Sequence, residues 1–128
     1  EKNKRLILNF GHTFAHAIEM AGSLKNKYQI NHGEAVAIGM ICEMKYAGVN
    51  EKYLQYIKDI LGTYNLPSKA RLKKSKNYFL NRTYNYLFAD KKRISKFPRY
   101  IKINKQLKPE IDELKNIKKI KKVLKQII

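Results

Sequence analysis

The sequence predicts a mainly α, multi-helix domain with a short strand or hairpin near 97–105. Three observations predict it. Apolar residues recur at helical spacing along most of the chain. Gly22, Gly48 and Gly62 each follow one of these periodic runs, where helix stops belong. Only the stretch from Phe97 to Lys105, with Tyr100, Ile101 and Ile103, has an extended texture.

The first helix is expected over residues 1–22. It carries Leu6, Ile7, Leu8, Phe10, Phe14, Ala15, Ala17 and Ile18 over most of its circumference, the mark of a buried helix. Residues 23–31 form a polar connection. The second helix is expected from Asn31–Glu34, a cap residue with Glu three positions on, to about Ala47, where Gly48 stops it. A third helix is expected over 50–61, closed by Gly62 and the Leu66-Pro67 turn. Residues 75–90 read as a further helix rich in aromatics. Pro109 is expected to open a last helix over 110–127, with Ile111, Leu114, Ile117, Ile120, Leu124 and Ile127 on one face and lysines between them. The domain reading is a helical binding domain over 1–108 and a basic amphipathic tail helix over 109–128.

The chain has 128 residues, enough for one modest core. It begins at Glu1 and runs straight into its most informative helix, which reads as a cut through a longer protein. Cys42 is its single cysteine, so no internal disulfide frames it, and a cytoplasmic location is expected. Within its apolar run, Cys42 reads as an inert core residue. No apolar run reaches the roughly 20 residues of a membrane span, and no secretory signal is visible. The net charge of +18 is uneven, +2 over residues 1–64 and +16 over 65–128. A basic half is compatible with nucleic acid, yet a lysine-rich solvated face explains it as well, and nucleic acid is not the expected partner.

Six polar residues of the first segment share one stripe. Glu1, Arg5, Asn9, His12, His16 and Glu19 fall within an arc of about 80° when wound at about 100° per residue. A polar stripe on a buried helix needs a polar partner: a cavity, a metal or an anion. His12 and His16 are four apart and therefore neighbours on a helix. His32 opens the second helix, where the positive end of the helix dipole disfavours imidazolium. Neutral imidazole is the metal-binding form, so histidines from two helices can converge on one cation with an acidic third ligand. Zinc suits such a nitrogen and oxygen set. Arg5 adds a planar fork for carboxylate or phosphate, and Asn9 a donor and an acceptor. Glu1 reads as a proton acceptor or, preferably, a partner for Arg5. Gly11, Ala15, Ala17, Gly33 and Gly39 allow close approach of another segment.

These residues resemble a known family. Arg5-x-x-Leu8-Asn9-Phe10-Gly11-His12-Thr13-Phe14-Ala15-His16-Ala17-Ile18-Glu19 and His32-Gly33-Glu34-Ala35-Val36-Ala37-Ile38-Gly39-Met40 are similar to motifs of 3-dehydroquinate synthase. Leu66-Pro67 and Asp90-Lys91-Lys92 follow in that family's order, so the resemblance covers about residues 1–105. It implies the C-terminal helical domain of an α/β + α protein. The implied activity converts 3-deoxy-D-arabino-heptulosonate 7-phosphate to 3-dehydroquinate and phosphate in the shikimate pathway. The implied cofactors are NAD, bound mainly by an N-terminal domain absent here, and a divalent metal, Zn2+ or Co2+. A homodimer is implied for the full-length enzyme.

By position, the resemblance makes His12 and His32 metal ligands, and Arg5 and Asn9 substrate-binding residues. His16 matches a residue at the phosphate end with an acid/base role, and Glu1 a second acid/base position. Of the Asp-Lys-Lys lysines, Lys91 is preferred over Lys92 as a phosphate contact. No cofactor-binding residue is assigned within the chain. The family's third metal ligand is a glutamate upstream of it. Three departures stand out: Ala15 replaces a glycine, the 23–31 connection is long, and the segment after Lys92 lacks the family's glycines. The nearest alternative is another NAD- and metal-dependent sugar-phosphate cyclase, such as a 2-deoxy-scyllo-inosose synthase-like enzyme. A basic helical nucleic-acid-binding module is the alternative from another class. A metal-dependent phosphohydrolase is disfavoured, since no histidine is followed by aspartate.

Overall fold

The computed structural model describes residues 2–25, 30–70, 75–89 and 96–127. In chain order these form α1 (Lys2–Ile7), α2 (His12–Lys25), α3 (His32–Ala47), α4 (Glu51–Thr63), α5 (Lys76–Leu87), β1 (Arg99–Ile103), β2 (Pro109–Glu113) and α6 (Ile117–Gln126). The fold is therefore mostly helical, with one two-stranded antiparallel sheet among the described residues.

α3 forms where its signals place it. The Asn31 side chain accepts the Glu34 backbone N–H at 2.8 Å, and the Glu34 carboxylate accepts the Asn31 N–H at 3.1 Å. This reciprocal box satisfies two backbone donors at the helix start. Gly48 ends the helix in the left-handed region at φ 77°, which costs glycine no Cβ clash. Between these ends α3 is buried on most sides, through Ala35, Ala37, Ile38, Ile41, Cys42 and Met44.

α3 is the central element. α2 and α6 pack against it, α5 packs against both of those, and α4 lies on its other side. The main core joins Phe14 and Ile18 of α2 to Ile38 and Cys42 of α3, Phe79 of α5, and Ile120 and Leu124 of α6. A second cluster joins Ile41 and Met44 to Leu54 and Leu61 of α4. Each fully buried Phe, Ile or Leu contributes about 1.5–3 kcal/mol.

Two elements differ from the sequence expectation. The helix expected over 1–22 is broken: α1 ends at Ile7, residues 8–11 run as successive turns, and α2 begins at His12 and continues to Lys25. The break falls on Gly11, whose φ is +83°. Its cause is tertiary, because the Gly11 backbone lies against Val36 and Met40 of α3. Ile7 and Leu8, expected to be buried, are 43% and 73% exposed.

The helix expected over 110–127 is also shorter, starting at Ile117. Residues 109–113 instead pair with β1, with Arg99 opposite Glu113 and Ile101 opposite Ile111. A lone strand would leave its backbone groups unpaired, and β2 satisfies them. Pro109, without an N–H, sits at the first position of its strand, where proline is tolerated. Asn116 then caps α6 by accepting the Lys119 N–H at 3.0 Å. The hairpin spans the 108/109 boundary assigned from sequence, and α6 buries Ile120, Val123 and Leu124 in the shared core rather than standing apart. Among the described residues, no helix is long and apolar enough to cross a membrane.

Candidate functional site

The break at Gly11 puts the stripe residues on two helices and the turns between them. Arg5 lies on α1 and Asn9 in the turns, both exposed. His12 is the first residue of α2, with His16 one turn on and Glu19 a turn further. The opposite face of α2 is fixed by buried Phe14, Ala17, Ile18 and Ala21. His32 is the first residue of α3, held at that place by the Asn31–Glu34 box.

The crossing of α2 and α3 brings the three imidazoles together. The His12 and His32 ring centroids are 5.4 Å apart, those of His12 and His16 5.8 Å, and those of His16 and His32 6.5 Å. Two of the rings have Nδ1 beside an acceptor. His12 Nδ1 lies 3.2 Å from the Phe10 carbonyl oxygen, which only accepts, so the contact requires a proton on Nδ1 and, in a neutral ring, leaves the lone pair on Nε2. His32 Nδ1 lies 3.0 Å from Glu19 Oε1 and donates to it in the same way. Metal-binding histidines are usually held so, with one nitrogen engaged by a carbonyl or carboxylate and the other free.

The donor set fits a divalent cation. Two imidazoles bound through Nε2 at a tetrahedral angle on one zinc ion have centroids about 5 Å apart, close to the 5.4 Å between His12 and His32. Among the described residues, no group of three His, Cys, Asp or Glu side chains is placed to hold a metal. Among these residues, His12 and His32 are the pair whose separation suits one cation.

Beside the histidines lies a cleft of about 290 Å³, lined by Leu6, Asn9, His12, Thr13, His16, Arg99, Tyr100, Ile101 and Ile111. Asn9, His12 and His16 therefore share one cavity wall. Arg5 is exposed and outside that lining. Glu1 and Lys91, with Asp90 and Lys92, lie outside the described residues. Arg99, at the start of β1, is a cleft cation that the sequence pattern did not single out. The Thr13 hydroxyl donates to the Arg99 carbonyl at 2.6 Å and ties β1 to the first turn of α2.

A second missed residue is Glu43, 1% exposed on α3. Its Oε1 accepts the Ile101 N–H at 3.2 Å, whereas Oε2 meets no donor in hydrogen-bonding geometry. Burial pushes its carboxyl up to about 8, opposed by the backbone N–H groups of Gly11, Ile101, Phe14 and Thr13. Glu43 thus sits where the first turn of α2 presents its unpaired N–H groups. The available signal was one acid inside an otherwise apolar helix. Next to it, burial raises the thiol of Cys42, which stays protonated and inert.

A sequence model of the family described as 3-dehydroquinate synthase C-terminal matches residues 1–93. The chain belongs to the 3-dehydroquinate synthase C-terminal family. Among curated proteins, the 3-dehydroquinate synthase of Sulfolobus acidocaldarius is 47% identical over 72 residues, covering 52% of this chain and 19% of that protein. That of Methylacidiphilum infernorum is 43% identical over 75 residues, covering 56% and 20%. That of Sulfurimonas denitrificans is 38% identical over 96 residues, covering 72% and 25%. The chain therefore spans about a fifth to a quarter of the length of these relatives. Among solved structures, a 2-deoxy-scyllo-inosose synthase complexed with carbaglucose-6-phosphate, NAD+ and Co2+ superposes with a TM-score of 0.70 at 26% identity, covering all of this chain and 36% of the other.

Proposed function

We propose that this chain supplies the helical half of a 3-dehydroquinate synthase site, which turns 3-deoxy-D-arabino-heptulosonate 7-phosphate into 3-dehydroquinate and phosphate. The observation that carries this reading is the His12–His32 pair, 5.4 Å apart, each ring with Nδ1 engaged. Family membership over residues 1–93 supports it.

His12 and His32 would hold the divalent cation, Zn2+ or Co2+, through Nε2. When bound, the cation acts as a Lewis acid on the substrate hydroxyl that NAD oxidises. Asn9 offers an amide donor and acceptor to the substrate from the cleft wall, and Arg5 offers a planar cationic fork from the adjoining helix. His16, exposed at the cleft edge, holds or moves a proton at the phosphate end. Lys91 and Glu1 keep the roles that the family pattern gives them, as phosphate contact and acid/base. The acidic third ligand and most of the NAD site come from the N-terminal part of such an enzyme. We place that enzyme in the cytoplasm as a homodimer.

The cyclase alternative has the same site chemistry with a different sugar phosphate. The family match over residues 1–93 and the dehydroquinate synthase relatives at 38–47% identity favour the first reading. The experiment is phosphate release by the complete enzyme, supplied with NAD and Co2+, from the heptulosonate phosphate and from glucose 6-phosphate. Release from the heptulosonate phosphate alone is expected. Release from glucose 6-phosphate alone would transfer the chain to the inosose synthase group. The isolated chain is expected to bind Co2+ weakly and to turn over neither substrate.

A further inference from the structure

Glu19 is neither a ligand nor a substrate contact in the function proposed above, yet it makes the one hydrogen bond to the His32 ring among the described residues. The backbone of His32 is already fixed, because Asn31 and Glu34 cap each other around it. Its side chain is not fixed by packing, being 57% exposed. An exposed imidazole at the end of a helix samples several rotamers and, when neutral, both tautomers. Glu19 removes that freedom. It projects from α2, whose other face is locked in the core by Phe14 and Ile18, and its Oε1 lies 3.0 Å from His32 Nδ1.

We propose that Glu19 is a positioning residue for His32: by accepting from Nδ1 it keeps that nitrogen protonated and leaves Nε2 free for a divalent cation. This rests on the reading of His32 as a metal ligand. The two histidines are then anchored by different means. His12 leans on a backbone carbonyl, that of Phe10, which no side-chain substitution removes. His32 depends on a side chain from another helix, so the geometry of the pair is set at the α2–α3 crossing and is open to mutation at one residue. A carboxylate partner also makes the imidazole a stronger donor, and loss of such a partner typically costs 10–100-fold in metal affinity. The same contact as a mere surface ion pair would be worth only about 0–1 kcal/mol of stability. Affinity and tautomer therefore separate a positioning role from a structural one.

The test uses this chain as it stands, with Glu19→Ala, Glu19→Gln and His12→Ala variants, and two measurements. Long-range nitrogen–proton NMR at a pH where the histidines are neutral reports the tautomer of His32. Titration with Co2+ alone reports affinity. In the wild type, His32 is expected to carry its proton on Nδ1. In Glu19→Ala it should shift towards the Nε2–H form, with Co2+ affinity down 10–100-fold and thermal unfolding little changed. Glu19→Gln, which retains an acceptor oxygen, should keep the tautomer and recover part of the affinity. A wild-type His32 protonated on Nε2, or a tautomer and affinity unmoved in Glu19→Ala, overturns the proposal. Loss of all Co2+ binding in Glu19→Ala, as expected for His12→Ala, makes Glu19 a ligand and also overturns it. Absence of Co2+ binding by the wild-type chain overturns the affinity part of the proposal, and the tautomer measurement then decides whether Glu19 positions the ring.

Discussion

Gly39 of α3 lies directly against the backbone carbonyl of Gly11, and a Cβ built on Gly39 would overlap that oxygen. The relation is reciprocal. A Cβ on Gly11 would come within 2.7 Å of Met40 Cγ and 2.8 Å of the Val36 carbonyl oxygen. The turn that leads into the helix of His12 therefore meets the helix of His32 at a point where neither can bear a side chain.

Gly39→Ala is accordingly expected to force α2 and α3 apart. Overpacking of this kind costs about 1–3 kcal/mol. Chemical unfolding should show that loss, and Co2+ affinity should fall with it because His12 and His32, the proposed ligands, are carried by the two helices forced apart. Unchanged stability would mean that the crossing is looser than described.

Stability should depend on pH through Glu43. Its carboxyl is raised from 4.5 to about 8, chiefly by burial. Between these values the unfolded chain has released the proton and the native chain retains it. Stability from this group is complete below 4.5 and is lost as pH rises to about 8, by at most about 1.4 kcal/mol per unit. Glu43→Gln removes this component, so its unfolding free energy should decline less than the wild type's over that range. Identical pH profiles would mean that Glu43 is ionised in the folded chain.

Asn31→Ala removes the side chain that caps α3 next to His32. A lost cap costs about 1 kcal/mol, readable as a lower midpoint in urea. Asn31→Asp, which keeps the acceptor, should restore it. Equal losses in both variants would mean that the cap is not what holds this end.

His12→Ala, in the complete enzyme, is expected to abolish metal-dependent phosphate release while leaving the far-ultraviolet circular dichroism intact. The side chain is only partly buried, so its loss opens no core cavity. Retained activity would remove His12 from the ligand set.

α3 was legible in sequence because every signal for it is local: the Asn31–Glu34 box, the apolar run and Gly48. The histidine cluster was legible in part. The spacing of His12 and His16 and the place of His32 beside a helix start predicted convergence of two helices. The break at Gly11 was not visible, since the apolar residues on both sides of it keep helical spacing and the chain turns there where α3 passes behind it. The same holds for β2. Ile111, Leu114 and Ile117 are spaced by three, which suits a helix, and only the unpaired edge of β1 selects the strand. Arg99 joined the cleft through that hairpin, a pairing that no local pattern in the chain announces.

The left-handed residue at position 11 has one more consequence. In an unbroken helix, the distance from Arg5 to His12 would be set by helical rise alone. Here α1 rests on β2 while α2 rests on α3 and α5 and only touches β1, so Arg5 and His12, the proposed anion contact and metal ligand, lean on different elements. Their separation is a property of how the hairpin seats on the bundle, and substitutions where β2 meets α1, far along the chain, can retune the reach of Arg5 more than they move the histidines.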